Sequence, residues 1–283
     1  MVGAHVDSVF RLKADARFGH SVPSSRTVGV GGCAFNVAAG LSALGYGTAH
    51  AGVRGTDADG GSVSRALLTH GVSDLGLTLR DVPTGCYTAL LEPDGSVALA
   101  TAAMEAYGAA ERLLAEASFL EAAASARMLV VDANAHPDTI TALAAARGQS
   151  TRLALLATST NKARRLAPVL EQADLLFANA DEWRELRPFH TRIRQAFVTS
   201  GAKGAVVYQF GDIVGKCAAE RVAVEDVVGA GDAFSVAVID GWLRGQSTDD
   251  ILAGGVRLAS RCVGHTGALG WVPHYDAERR LPA

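Results

Sequence analysis

The sequence predicts an α/β protein with a mainly parallel central sheet flanked by helices and a small β element set against it. Three observations carry this. From residue 109 onward, short apolar segments at 128–131, 153–157 and 175–177 alternate with expected helices at 109–125, 137–147 and 161–171. Strands that are apolar throughout, joined by crossovers of ten or more residues, belong to parallel sheets covered on both faces. Two long helices are then expected at about 230–244 and 248–263. Finally, 8–31 and 82–102 are strand-like but largely polar, and the second folds as a hairpin around Glu92-Pro93-Asp94-Gly95. A chain of 283 residues accommodates all of this in one domain, 1–283, with the β element formed by about 8–31 and 82–102.

Taken in order, the first strand is expected to end near Asp7 and to be short, because only Val2 lies between Met1 and Gly3. Strand pieces follow at 9–12 and 26–30. Phe35, Val37, Ala38, Leu41 and Leu44 recur at the 3.6-residue period of a helix that Gly45 closes. A strand is expected at 48–53, a helix at 61–70, and strands at 87–91 and 96–101. Further strands are expected at 197–199 and 205–209.

Composition narrows the function classes. A formal charge of -3, with basic residues scattered rather than striped with aromatics, argues against a nucleic-acid polymer as partner. The four cysteines form no CxxC pair, which argues against a structural zinc site or a secreted disulfide framework. The chain opens without a basic segment leading into an apolar one, and no apolar run reaches the ~20 residues of a membrane helix. The expected setting is cytoplasmic, with no membrane partner.

The strongest chemical signal is Asp226-Val227-Val228-Gly229-Ala230-Gly231-Asp232 at the opening of the first long terminal helix. Glycines let a ligand approach the backbone, and the free N–H groups and positive end of a helix suit a phosphoryl group. A carboxylate in that first turn, Asp232, is placed to take a proton from an attacking hydroxyl. A lone Gly-x-Gly-Asp is more often an ordinary helix start, so the reading leans on its company.

These residues resemble the ribokinase-like, or PfkB-type, carbohydrate kinases. Their D-[ST]-x-G-A-G-D signature matches 226–232 except at Val227. Their Gly-Gly pair followed by an Asn and an Ala-rich helix resembles Gly31, Gly32 and Asn36. Their N-x-x-E motif is similar to Asn179-Ala180-Asp181-Glu182, and their T-x-G-x-x-G segment to Thr199, Gly201 and Gly204. The five elements, counting an early Asp7, stand in family order over nearly the whole chain. The resemblance implies a three-layer fold with a β lid and an ATP-dependent kinase acting on a hydroxyl of a sugar or nucleoside. It implies Asp232 as base, with the amides of Gly229, Ala230 and Gly231 around the transferring phosphoryl. Asp7, Gly31, Gly32 and Asn36 would hold the acceptor, and Asn179, Thr199, Gly201 and Gly204 the nucleotide. Glu182 would act on Mg²⁺ through water. A monovalent cation such as K⁺ would sit by Asp226 and Val228, near the backbone of 266–268. A homodimer through the lid is expected.

One competing pattern fails. Gly29-Val30-Gly31-Gly32-Cys33-Ala34 fits the dinucleotide fingerprint G-x-G-x-x-A, but the strand at 48–53 leads into Arg54-Gly55 with no acid until Asp57. For the acceptor, Lys162 within Thr158–Leu166 and the hairpin followed by Met104 are similar to pseudouridine kinases, which makes pseudouridine, at its 5′-hydroxyl, the best single expectation. Ala102, Ala103 and the Cys33-Ala34-Phe35 loop depart from that pattern. Ribokinase- or fructokinase-type activity, and a non-catalytic sugar- or nucleotide-binding sensor, are the alternatives; the intact Asp232 and glycine loop argue against the sensor.

Overall fold

A computed structural model describes residues 2–274. Its largest sheet has six strands: β9 (Met128–Asp132), β10 (Arg152–Leu156), β11 (Leu175–Asn179), β12 (Ala196–Thr199), β13 (Ala205–Gln209) and β14 (Asp212–Cys217). They lie in the order β14-β13-β12-β11-β10-β9. Strands β9 to β12 run parallel, and β13 and β14 are antiparallel additions, so the sheet is mixed.

Alternate residues of these apolar strands feed two cores. Leu153, Leu155 and Leu176 pack on one face; Ala154, Leu156, Leu175 and Phe177 pack on the other. The first face is covered by α3 (Ala117–Ser125), α4 (Pro137–Ala145), α5 (Thr160–Ala163) and α6 (Ala180–Glu185), with 3₁₀ stretches between them. The second is covered by α1 (Cys33–Ala43), α7 (Ala230–Leu243) and α8 (Thr248–Cys262). The earlier α2 (Ala58–Thr69) packs against β1 (His5–Leu12). Three layers result.

The polar strands form a separate four-stranded sheet, ordered β2-β1-β7-β8, from β1, β2 (Ser24–Gly31), β7 (Cys86–Leu91) and β8 (Val97–Ala103). It springs from the C-terminal end of β9, where Gly3 N–H donates to Asp132 Oδ2 at 2.9 Å. Between these sheets the segment 49–55 runs beside 73–79 as two short parallel pairs, β3 (Ala49–His50) with β5 (Ser73–Asp74) and β4 (Val53–Gly55) with β6 (Leu77–Leu79).

Several expectations are corrected. The first strand does not end at Asp7. His5–Leu12 is one strand with Asp7 in its middle, paired with Gly29 and Tyr87, because neighbours on both sides hold it. The expected helix 109–125 is a 3₁₀ stretch, Glu105–Ala115, broken at Glu116 before α3. The expected helix 161–171 is the single turn of α5 followed by 3₁₀ structure containing Pro168, which has no N–H for the α-helical ladder. Strand β14 escaped notice because its hairpin turn is Phe210-Gly211. Both residues adopt positive φ, 48° and 90°, but Phe-Gly is not an Asn-Gly signal. Gly29 and Gly31 lie on β2, which pairs antiparallel with β1, so the strand and the helix after it are not part of the parallel βαβ unit that a dinucleotide fingerprint requires.

Candidate active site

The Gly-rich run enters α7 through Gly229, whose φ of 78° is left-handed. A Cβ there would stand 2.3 Å from Ala268 Cα, so only glycine allows the 265–268 segment to brace the loop. Helical bonding begins with Ala233 N–H to Gly229 O at 2.8 Å, and Ala230 N–H reaches back to Val227 O at 3.4 Å. Helix geometry leaves the amides of Gly231 and Asp232 for a ligand.

These residues face a cavity of about 230 Å³ lined by Gly229, Gly231, Asp232, Asn179, Glu182 and Thr199, and also by Cys33 and Thr158. It lies at the C-terminal ends of β10, β11 and β12, where ligands of open α/β sheets bind. Burial pushes the Asp232 carboxyl up, a rise opposed by hydrogen bonds from Asn36 and Cys33. Asn36 Nδ2 donates to Asp232 Oδ2 at 2.7 Å, so the helix after the glycine pair and the helix bearing the carboxylate meet at one bond. Asn36 Oδ1 is buried without a hydrogen-bond partner among the described residues. Burial, then the charge of Asp232, raises the Cys33 thiol well above its ordinary value.

Asn179 and Glu182 start α6 as a capping box: Asn179 Oδ1 accepts from the amides of Asp181 and Glu182, and Asn179 N–H donates to Glu182 Oε2 at 2.8 Å. Glu182 is nonetheless buried, and that burial pushes its carboxyl up. A carboxylate in this position suits a hydrated Mg²⁺ next to phosphates. No cluster of three metal-ligating side chains occurs among the described residues.

The residues expected to hold the acceptor gather round β1 and its neighbours. Gly31 faces Asp7, and a Cβ on it would lie 2.1 Å from Asp7 Oδ2. Gly32, at φ 111°, passes over Gly3, whose carbonyl would be 2.4 Å from an added Cβ. Asp7 Oδ1 stands 3.1 Å from His5 Nε2, and His5 Nδ1 shares a 2.7 Å hydrogen bond with the Tyr107 hydroxyl. Lys162 Nζ donates to Asn134 Oδ1 at 2.7 Å. Burial lowers its pKa, with Asp132 opposing. The fully buried Asp132 accepts from Gly3 and Asn134 amides.

Asp7, Gly31, Gly32, Asn36 and Lys162 do not line the 230 Å³ cavity; Asn36 is joined to it through Asp232. Gly201 and Gly204 sit on the turn after β12 and do not line it either. Asp226 accepts from the amides of Val228 (3.0 Å) and Gly267 (2.9 Å). The carbonyls of Val228 and Ala268 converge on the Cys262 thiol at 3.6 and 3.7 Å. Converging carbonyls beside a carboxylate form a donor set that fits a monovalent cation.

Sequence reasoning did not single out Asp132, the fully buried acid at the end of β9, although an acid closing an apolar parallel strand was a usable signal. It also missed Thr158, a β-branched residue at φ 61° whose buried hydroxyl is unpaired among the described residues. Such strain collects at functional sites, but nothing in the sequence marks it.

A glycine-lined helix mouth, a half-buried carboxylate and a cleft at the strand ends define an α/β phosphotransferase. The comparisons fix the family. The pfkB family carbohydrate kinase model matches residues 10–274, and the chain belongs to that family. A carbohydrate kinase from Agrobacterium tumefaciens is 32% identical, over 94% of this chain and 90% of that one, with a TM-score of 0.80. The nucleoside kinase of Methanocaldococcus jannaschii (18% identical, 99% and 97% covered, TM-score 0.77) shares the fold. So does an Arabidopsis thaliana ribokinase complexed with ribose and ATP (20%, 99% and 97%, 0.77). No curated protein matches. The fold is therefore ribokinase-like, and the protein is an ATP-dependent phosphotransferase with an alcohol group as acceptor. No helix of the described residues is long and apolar enough to cross a membrane.

Proposed function

We propose that this kinase phosphorylates a nucleoside, with pseudouridine at its 5′-hydroxyl as the first candidate. The observation that carries the reading is the Asn36–Asp232 bond, which puts the acceptor-side helix and the base within reach of one hydroxyl. Asp232 takes the proton of that hydroxyl, and its raised pKa suits proton acceptance near neutral pH better than an ordinary carboxylate does. The amides at the mouth of α7 stabilise the charge spreading over the phosphoryl group. The unpaired Asn36 Oδ1 and the Asp7 carboxylate accept from the other hydroxyls of the sugar. Asn179, Thr199, Gly201 and Gly204 hold the nucleotide.

Bound Mg²⁺, carried by Glu182 through water, would neutralise phosphate charge; K⁺ at Asp226, Val228 and the 266–268 backbone would steady the loop. The preference for a nucleoside rests on the likeness of Thr158–Leu166 and the β7–β8 hairpin to pseudouridine kinases, and on Lys162, which Asn134 holds on the acceptor side. The four-stranded sheet acts as the lid. Val28, Val97 and Leu99, exposed on its outer strands, give it a surface for pairing with a second copy.

The test is incubation with ATP and a panel of nucleosides, pentoses and hexoses, with phosphorylated products read by mass spectrometry. Pseudouridine monophosphate supports the reading. A sugar phosphate alone moves the assignment to a ribokinase or fructokinase type, and binding without ADP release across the panel moves it to a sensor.

A further inference from the structure

Tyr107 lies on the 3₁₀ stretch Glu105–Ala115 and is only 3% exposed. Its hydroxyl is bonded to a residue 102 positions away, His5 Nδ1 on β1, at 2.7 Å. The two rings meet edge-on, with centroids 6.3 Å apart and planes at 61°. The other nitrogen of the imidazole, Nε2, stands 3.1 Å from Asp7 Oδ1. Tyrosine, histidine and aspartate are thus placed in series. Gly85 lets them close up: Val6 N–H donates to its carbonyl at 3.0 Å, and a Cβ on it would lie 3.2 Å from His5 Cβ and 3.1 Å from Met104 Sδ.

The ends of the series decide where its protons lie. A bare Nε2 would set a lone pair against a carboxylate oxygen 3.1 Å away, so Nε2 carries a hydrogen. A neutral imidazole has one N–H, which leaves Nδ1 as the acceptor and the Tyr107 hydroxyl as the donor. Burial, followed by the charges of Asp132 and Asp7, raises that hydroxyl well above its ordinary value, so its proton stays in place. The Nε2–H is near Asp7 Oδ1 without being aligned on it: Oδ1 is buried and has no hydrogen-bond partner among the described residues. The imidazole therefore attracts the carboxylate and leaves its lone pairs open to a hydroxyl donor.

We propose, on the reading that Asp7 accepts from the hydroxyls of the acceptor, that Tyr107 and His5 are positioning residues for that carboxylate. The Tyr107 hydroxyl fixes the plane and tautomer of the imidazole, and His5 Nε2–H holds the carboxylate whose other oxygen lies against Gly31. Neither residue lines the cavity of Asp232, so both act on acceptor binding and leave the chemical step alone. Without the phenol hydroxyl the imidazole is free to turn, and the acceptor has to order both it and Asp7 as it binds.

The test has two arms. In the first, kcat and KM are measured for the wild type, Tyr107→Phe, Asp7→Asn and the double variant, with pseudouridine, or with D-ribose where only a sugar is turned over. Tyr107→Phe is expected to raise the acceptor KM about fivefold, with kcat and the KM for ATP within about twofold of the wild type. In the Asp7→Asn background it is expected to add less than about twofold, because it acts through that carboxylate. An unchanged acceptor KM, a fall in kcat instead, or full additivity with Asp7→Asn overturns the proposal. If Asp7→Asn by itself leaves the acceptor KM unchanged, the reading of Asp7 as an acceptor ligand fails and the proposal falls with it, so the two failures are told apart. In the second arm, long-range ¹H–¹⁵N spectra of the wild type at pH 8 report the His5 tautomer with no acceptor present, its signals assigned by their loss in His5→Gln. The Nε2–H form is expected. The Nδ1–H form, or an even mixture of the two, overturns the proposal even where Tyr107→Phe fails to fold.

Discussion

Replacing Asp232 by Asn changes the chemistry of one group and little of its surroundings. The carboxylate takes a 2.7 Å hydrogen bond from Asn36 Nδ2, and an amide offers the same oxygen to that donor. What it loses is the ability to accept a proton. General-base catalysis contributes about 10²–10⁴ in rate, so kcat is expected to fall by about 10³ while the KM for ATP stays put. Stability moves the other way. Burial raises this carboxyl in the folded state, so the folded protein binds the proton more tightly than the unfolded one. Stability is then lost as pH climbs from the ordinary carboxylate range through the raised value. The amide carries no such cost. The variant should melt at or above the wild-type temperature at pH 7, with the difference closing at pH values below the ordinary carboxylate range. A coupled ADP-release assay and thermal melts across pH read both quantities. Near wild-type turnover, or inactivity accompanied by a lower melting temperature at pH 7, refutes the reasoning.

The other expectations use the same assays. Asn36→Ala removes a hydrogen bond that favours the charged carboxylate, so the acid limb of the kcat–pH profile moves to higher pH; an unmoved limb removes Asn36 from that role. Gly229→Ala forces a left-handed φ on a residue with a side chain and presses a Cβ toward Ala268. A stability loss of at least ~1–2 kcal/mol is expected, and an unchanged denaturation midpoint contradicts it. Glu182→Gln keeps an oxygen for the Asn179 amide, so α6 and the melting temperature persist while the Mg²⁺ concentration for half-maximal rate rises; an unchanged Mg²⁺ titration counts against a metal role.

The layered fold was legible because β10, β11 and the strands beside them announce two-sided burial in an unbroken apolar run, and because α7 and α8 are long and continuous. Boundaries were less so. Asp7 looks like a strand end until its partners Gly29 and Tyr87, 22 and 80 positions away, are known to hold it. The glycine-lined start of α7 with Asp232 in its first turn was legible from local spacing, and so was the helix start at Asn179–Glu182. The contacts that tie them together were not. Neither the Asn36–Asp232 bond nor the Asp132–Gly3 bond has a sequence signal, since each joins residues more than a hundred positions apart through packing that no local pattern records.

The glycine pair has a mechanical consequence. β2 ends at Gly31 and α1 begins at Cys33, so a single residue, Gly32, separates an outer strand of the four-stranded sheet from the helix that carries Asn36. Any displacement of that strand therefore reaches, through one glycine, the helix whose amide is bonded to Asp232.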